Sequence, residues 1–249
     1  MARSLEEILK NSKNVVFFGG AGVSTESGIP DFRSESGLYQ AVTEYGLPPE
    51  SIISHSCFEA RPGIFFDFYK KHMVFPDARP NPAHVALARL EQAGLLTGVI
   101  TQNIDGLHQM AGSRRVMELH GSVHRNYCVD CGKTYGLDYL LDGQNSREGV
   151  PRCSACGGIV RPDVVLYEEP LSGGVLEEAR QALEAADTLI VGGTSLAVYP
   201  AAGLLQWFRG RTLVLINRSE TPMDSRADLV LREPIGEVLG PMPDRLYPS

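Results

Sequence analysis

Three observations predict an α/β chain built on a mostly parallel sheet covered on both faces. Short apolar runs of strand length alternate with helical patterns along most of the sequence. Each run ends in glycine, small or polar residues, and ligands of such sheets bind beyond the carboxyl ends of the strands. Four of the five cysteines form two Cys-x-x-Cys pairs inside a stretch that breaks the alternation.

The elements follow in order. Ser4 to Asn11 is predicted as a short helix leading into a buried strand, Val15 to Phe18. A glycine-rich segment comes next, Gly19-Gly20-Ala21-Gly22-Val23-Ser24-Thr25, and it closes on Asp31-Phe32-Arg33. Glycines just after a strand let the backbone approach a ligand, and the following N–H groups can face an anion. Ser34 to Arg79 is mixed and partly helical, with Phe65, Phe66, Phe68 and Tyr69 expected mostly in a hydrophobic core. Asn81 can cap a helix with Pro82 at its first position, Gly94 near its end, and Ala86, Leu87 and Leu90 as its apolar stripe. Val99 to Thr101 reads as a strand ending in Gln102-Asn103-Ile104-Asp105, and Val116 to Leu119 as another ending at His120-Gly121. Ser122 to Pro162 carries the cysteines and shows little periodicity, as a metal-stapled module too small to fold on its own core. Ser172 starts a second helix, with Leu176, Ala179 and Leu183 on one face. Thr188 to Val191 and Thr212 to Ile216 are short buried strands, ending in Gly192-Gly193-Thr194-Ser195 and in Asn217.

Bulk properties narrow the function. With 249 residues, 43% hydrophobic and 21% charged, the chain has the composition of an ordinary globular protein. A net charge of −7 disfavours nonspecific binding to nucleic acid or anionic membrane. No apolar run spans a bilayer, and Met1 to Glu7 lacks the apolar core of a signal peptide, so a cytoplasmic location is expected.

The motifs carry the chemistry. A dehydrogenase fingerprint reads G-x-G-x-x-G, but here Gly20-x-Gly22 is followed by Thr25 where the third glycine belongs. That moves the loop away from hydride transfer while keeping a dinucleotide. His120 ends a predicted strand where catalysis is expected, and an imidazole suits a general base near neutral pH. Gln102 to Asp105 offers amides and a carboxylate beside one apolar side chain, a mixture that suits a carboxamide and ribose hydroxyls. Cys128, Cys131, Cys153 and Cys156 have zinc spacing, and four thiolates close a tetrahedral shell, so the metal is structural. Cys57 reads as a small buried apolar residue.

Together these residues resemble the sirtuin family of NAD-dependent protein lysine deacylases. The matching segments are Gly20 to Ser24, Gly28 to Arg33, Thr101 to Asp105, His120-Gly121, the four cysteines, Gly193 to Leu196 and Asn217. The resemblance implies a Rossmann-like parallel-sheet NAD-binding domain from residues 1–33, 80–121 and 163–249. A small domain would combine a helical insertion, 34–79, with a zinc-ribbon module, 122–162. Cofactor contacts would come from Gly20, Ala21, Gly22, Thr25, Asp31, Phe32, Arg33, Gln102, Asn103, Ile104, Asp105, Gly193, Thr194, Ser195, Asn217 and Ile235. Val164, Leu166 and Tyr167 on one side, with Leu196 and Val198 on the other, would clamp an extended acetylated peptide by strand addition. His120 would deprotonate a ribose hydroxyl, and NAD would be consumed, giving free lysine, nicotinamide and O-acyl-ADP-ribose.

Departures from the family pattern shape the expectation. Gly19 stands where threonine is common, and Tyr167 where phenylalanine is common. Members that remove acidic acyl groups carry Tyr-x-x-Arg, whereas Tyr69 is followed by Lys70, Lys71 and His72. Acetyl or longer apolar acyl groups are therefore favoured over succinyl, with Lys70 or Lys71 as partial substitutes for the arginine. Protein mono-ADP-ribosyl transfer is the alternative activity of the same cleft. A zinc-ribbon nucleic-acid binder rests on the cysteines alone, and the module has only scattered basic residues. Acetylated protein substrates are the expected partners of a monomeric enzyme, with no membrane and no specific nucleic acid.

Overall fold

In the computed structural model, which describes residues 4–30, 42–196 and 201–247, Val15, Val16, Phe17 and Phe18 are fully buried. Strand alternation sends Val15 and Phe17 to one face and Val16 and Phe18 to the other, and each pair joins a different core cluster. A strand covered on both faces belongs inside a parallel sheet. Eleven strands follow in chain order among the described residues: β1 (Val15–Gly19), β2 (Leu96–Thr101), β3 (Val116–Glu118), β4 (Gly121–Cys128), β5 (Thr134–Tyr135), β6 (Ser146–Arg147), β7 (Val150–Pro151), β8 (Val160–Val164), β9 (Thr188–Gly192), β10 (Thr212–Ile216) and β11 (Leu229–Leu231).

Six of them form one sheet in the order β3-β2-β1-β9-β10-β11, with every pairing parallel. The order reverses between β1 and β9, which makes their carboxyl ends the crevice of the sheet. On one face lie the helices Leu5–Lys10, Pro82–Gln92 and Ile235–Leu239, packed on Val15, Phe17, Val99, Ile190 and Val214. On the other lies the helix Gly173–Ala185, with Ala179, Ala182 and Leu183 against Val16, Phe18 and Ile100. Local chemistry sets the helix starts. Ser4 and Glu7 form a capping box, and the Asn81 side chain accepts from the Ala83 and His84 N–H groups with Pro82 at the first position. Ser172 precedes the helix Gly173–Ala185 but makes no side-chain capping bond.

The remaining strands lie outside this sheet. β5, β4 and β8 form an antiparallel sheet, and β6 pairs with β7. The described part of 34–79 is helical, with helices Pro49–Ile52, His55–Ala60 and Pro62–His72. Its Phe58, Phe65, Phe66 and Tyr69 share one core with Val123, Leu137, Val150, Val164 and Leu166. The two insertions thus bury each other. The Phe65 ring meets Phe58 and Phe66 edge-on and stacks on Tyr69 at 5.8 Å.

One strand is hidden from sequence periodicity. Ser122 to Pro162 shows little strand periodicity in sequence, yet β4 is a strand of 8 residues. Its register shifts between Ser122 and Asn126, so the pattern of buried positions changes phase within the strand.

Candidate active site and metal centre

The crevice is built by two loops that touch backbone to backbone. The Gly20 N–H donates to the Gly192 carbonyl, and the Gly22 N–H to the Gly193 carbonyl at 2.8 Å. A Cβ on Gly20 would lie 2.8 Å from Thr194 Cβ, and one on Gly22 would lie 2.8 Å from Gly193 Cα. These glycines are therefore required by the approach of one loop to the other. Gly193 itself has φ +60, a conformation that favours glycine.

A cleft of about 540 Å³ opens beside them, within the usual size of ligand sites. Its floor is a hydrogen-bonded network on the ends of β1, β2 and β9. The Ser24 hydroxyl donates to Asp105 Oδ2 at 2.7 Å and accepts from Asn103 Nδ2 at 3.0 Å. Asp105 Oδ1 accepts from the Leu107 N–H, and Gln102 Nε2 donates to Thr194 Oγ1 at 3.2 Å. Amide, hydroxyl and carboxylate groups thus hold one another in place, which suits a polar carboxamide or a ribose.

His120 lies where the chain leaves β3 for β4. Its Nδ1 is 2.9 Å from the Gln102 carbonyl oxygen, which can only accept. Nδ1 therefore carries the proton, and the basic lone pair of the neutral ring is on Nε2. The turn behind it depends on Gly121, at φ +78, where a Cβ would overlap the Asp163 carbonyl oxygen.

Gly20, Ala21, Gln102, Asn103, Ile104, Asp105, His120, Val164, Leu166, Tyr167, Gly193, Thr194 and Ser195 all line the cleft. Asp31, Phe32, Arg33 and Val198 lie outside the described residues. The other expected positions fall elsewhere. Gly22 supports the loop contact, the Thr25 hydroxyl donates to the Gly22 carbonyl, and Asn217 follows β10 with its side-chain amide donating to the Ser219 carbonyl. Leu196 is buried in the sheet core at φ +57. Ile235 is buried in the other core cluster, beside Gly192. An apolar helix-start residue there fills the space that a glycine leaves on β9.

Ser24 and His124 are among the cleft residues that sequence reasoning missed. Ser24 bridges Asn103 and Asp105, a role visible only once β1 and β2 are neighbours. His124 lines the cleft with Nε2 3.0 Å from the Asp105 carbonyl oxygen. It sits in the irregular part of β4, where a bulge can re-aim a side chain.

Two further histidines lie behind the site. His84 and His108 are buried with ring centroids 4.7 Å apart. Burial pushes the His84 ring down to about 4, opposed by Asp105 and Glu26. Burial, then the neighbouring His84, pushes His108 down to about 3. Both rings are neutral at physiological pH.

The metal centre repeats one turn twice. Gly132 and Gly157 follow the second cysteine of each pair, at φ +71 and +79. Their N–H groups donate to the carbonyls of Cys128 and Cys153. All four Sγ atoms lie within 4.8 Å of one another, and none is in a disulfide. With zinc–sulfur bonds of about 2.3 Å, tetrahedral thiolates stand roughly 3.8 Å apart. The Cys128–Cys156 and Cys131–Cys153 Sγ separations are 3.4 and 3.6 Å, so the donor set fits one structural zinc ion. The Tyr135 hydroxyl and the Ala155 N–H donate to Cys153 Sγ, and the tyrosine first of all brings that thiol down to about 6. Donors of this kind around a ligand favour the thiolate a metal needs.

A 3-2-1-4-5-6 parallel sheet with a polar cleft at its reversal point defines a Rossmann-type dinucleotide-binding protein, here with an added metal module. Residues 20–200 match the Sir2 family, and the chain belongs to it. An NAD-dependent protein deacetylase of Clostridium perfringens is 59% identical over 241 residues, which are 96% of this chain and 97% of that protein. A solved Sir2 complex with a deacetylated p53 peptide and 3′-O-acetyl ADP ribose is similar at TM-score 0.85 and 40% identity, covering 97% of this chain and 95% of the other. A Sir2–p53 peptide–NAD+ complex is similar at TM-score 0.82 and 40% identity, covering 92% of each chain. No helix among the described residues is long and apolar enough to cross a membrane.

Proposed function

We infer that the protein is an NAD-dependent protein-lysine deacetylase. It removes acetyl or other apolar acyl groups and gives free lysine, nicotinamide and O-acyl-ADP-ribose. The observation that carries this reading is the meeting of His120 with the Gln102–Asp105 network at the reversal point of the sheet. NAD, consumed as co-substrate, supplies the electrophilic ribose carbon that the acyl oxygen attacks.

The chain's own residues bind, orient and move one proton. Gly20, Ala21, Thr194 and Ser195 would hold the dinucleotide along the switch-point loops. Asn103, Ile104 and Asp105 would enclose its nicotinamide end, with Ser24 fixing the two polar side chains. His120 acts as general base through Nε2, with Nδ1 anchored on the Gln102 carbonyl. Val164 to Tyr167 would hold the substrate as an extended peptide. The unit built from 1–33, 80–121 and 163–249 would carry NAD, and 34–79 with 122–162 the small domain.

The apolar part of the cleft wall supports the acyl preference. Ile53, Tyr69, Met73, Val123, Val164 and Leu166 line it. Lys71 is held by Glu44 and Asp67, each at 2.8 Å, and Lys70 reaches the Gly149 carbonyl. Neither lysine lines the cleft, so neither replaces an acyl-reading arginine. A small or apolar acyl group fits these walls best.

A panel of acylated peptides with and without NAD tests the reading, using NAD labelled on its adenosine half. NAD-dependent loss of acetyl, with label only in O-acetyl-ADP-ribose, is expected. Stable label on protein would favour ADP-ribosyl transfer, and turnover without NAD would overturn the reading.

A further inference from the structure

We propose that the partly buried Arg161–Glu169 pair is a positioning device that sets the shape of the peptide-docking edge Val164–Tyr167. The proposal rests on the reading that this edge docks the substrate peptide.

The pair is bidentate. Arg161 donates from Nη1 to Glu169 Oε1 at 2.8 Å and from Nη2 to Oε2 at 3.0 Å. Its side chain is 10% exposed and that of Glu169 19%. The guanidinium lies over the rings of Phe58 and Tyr127, at 5.2 and 5.8 Å. Buried ion pairs are weak sources of stability, because desolvation offsets their attraction. What distinguishes this one is where its remaining bonds go. Arg161 Nη2 also donates to the Val164 carbonyl at 3.1 Å, and Glu169 Oε2 also accepts from the Leu166 N–H at 2.9 Å. The same two side chains therefore grip both ends of Val164–Leu166. His55 Nδ1 braces Glu169 Oε1 from the opposite side at 2.9 Å.

A second contact completes the frame. Glu168 sits at φ +77, a strained conformation for a residue with a Cβ. Its Oε2 accepts from the Ser56 N–H and hydroxyl, at 2.9 and 2.6 Å. The Tyr167 backbone meanwhile donates to the Ile53 carbonyl and accepts from the His55 N–H. Consecutive carboxylates thus tie the edge to β8 on one side and to the helix His55–Ala60 on the other. The Val165 N–H donates to the His120 carbonyl at 3.0 Å, so the frame sets the edge relative to the general base. Misplacement there costs productive alignment even when every reacting group is present.

The test is peptide affinity in zinc-loaded protein, with Glu169→Gln and Ser56→Ala as variants. Binding of a fluorescent acetyl-lysine peptide is measured directly, beside KM for peptide, KM for NAD and kcat. Glu169→Gln is expected to weaken peptide binding by about tenfold or more, the loss typical of a charged hydrogen-bonded partner. KM for NAD and kcat at saturating peptide should change by less than about threefold. Ser56→Ala should give the same selective pattern at smaller amplitude. If Glu169→Gln loses zinc or melts early, His55→Ala, which removes the brace on Glu169 Oε1, decides by the same selective loss of peptide binding. Unchanged peptide binding in a folded variant, or equal shifts in both KM values, would overturn the proposal. Wild-type protein that binds the peptide without NAD-dependent turnover would count against deacetylation and leave the frame standing.

Discussion

The large sheet and the cysteine module solve the same problem by different means. β1 is a run of wholly buried apolar residues with a separate core on each face. The module's own cluster has Cys128, Cys153 and Val160 buried, with Tyr135 and Tyr139 packed against them. Apolar burial is proportional to area, and so small a core leaves the module short of stability. Two glycine-closed turns that converge four thiolates supply the rest. Metal affinity in such a module is folding free energy. His120 stands on the seam, held by β2 through the Gln102 carbonyl and turned toward the module by Gly121.

Removing zinc separates the two regions most sharply. Chelation should forfeit about 10 kcal/mol or more of module stability and abolish turnover, while helical signal from the sheet domain persists. Zinc content and circular dichroism on one sample check this; full activity and unchanged melting without metal would break the comparison. A change at the seam comes next. His120→Ala should lower kcat by about 10²–10⁴-fold with zinc content and Tm unchanged. Retained activity would remove His120 from its role as base.

The opposite perturbation strikes the sheet. Phe17 is fully buried, and its ring fills the space beside Gly19 and Gly192. Phe17→Ala should cost about 3–5 kcal/mol in denaturant unfolding, with zinc still bound. Loss of zinc in that variant at native pH would show that the two regions do not fold separately.

Acid should reach the sheet side through its histidine pair. His84 and His108 titrate near 4 and 3 when folded, against the ordinary 6.5. Below 6.5 the unfolded chain binds more protons than the native one, so stability is complete above that value and falls as pH drops toward 4. His108→Phe should flatten this slope in melting curves from pH 6.5 to 4. An unchanged slope would exclude the pair as its source.

What was legible in the sequence tracks local encoding. The strand predicted over Val15 to Phe18, the Asn81-Pro82 helix start and the paired cysteines are specified by adjacent residues, and all are found. β4 was hidden because its irregular register scrambles the two-residue pattern, and His124 was hidden with it. Ser24 needed the pairing of β1 with β2 before its hydroxyl had partners. Arg161 and Glu169 are near neighbours in sequence, but only the fold shows that they grip Val164 and Leu166. Ile235 packs in the core beside Gly192, a neighbour that only the fold brings to it.

The most direct test is stoichiometric. Purified zinc-loaded protein is mixed with an acetyl-lysine peptide and NAD, and free lysine, nicotinamide and O-acetyl-ADP-ribose are quantified together. Equal amounts of all three are expected, with none formed when NAD is omitted. Deacetylation without NAD, or nicotinamide release without deacetylated peptide, would contradict the account.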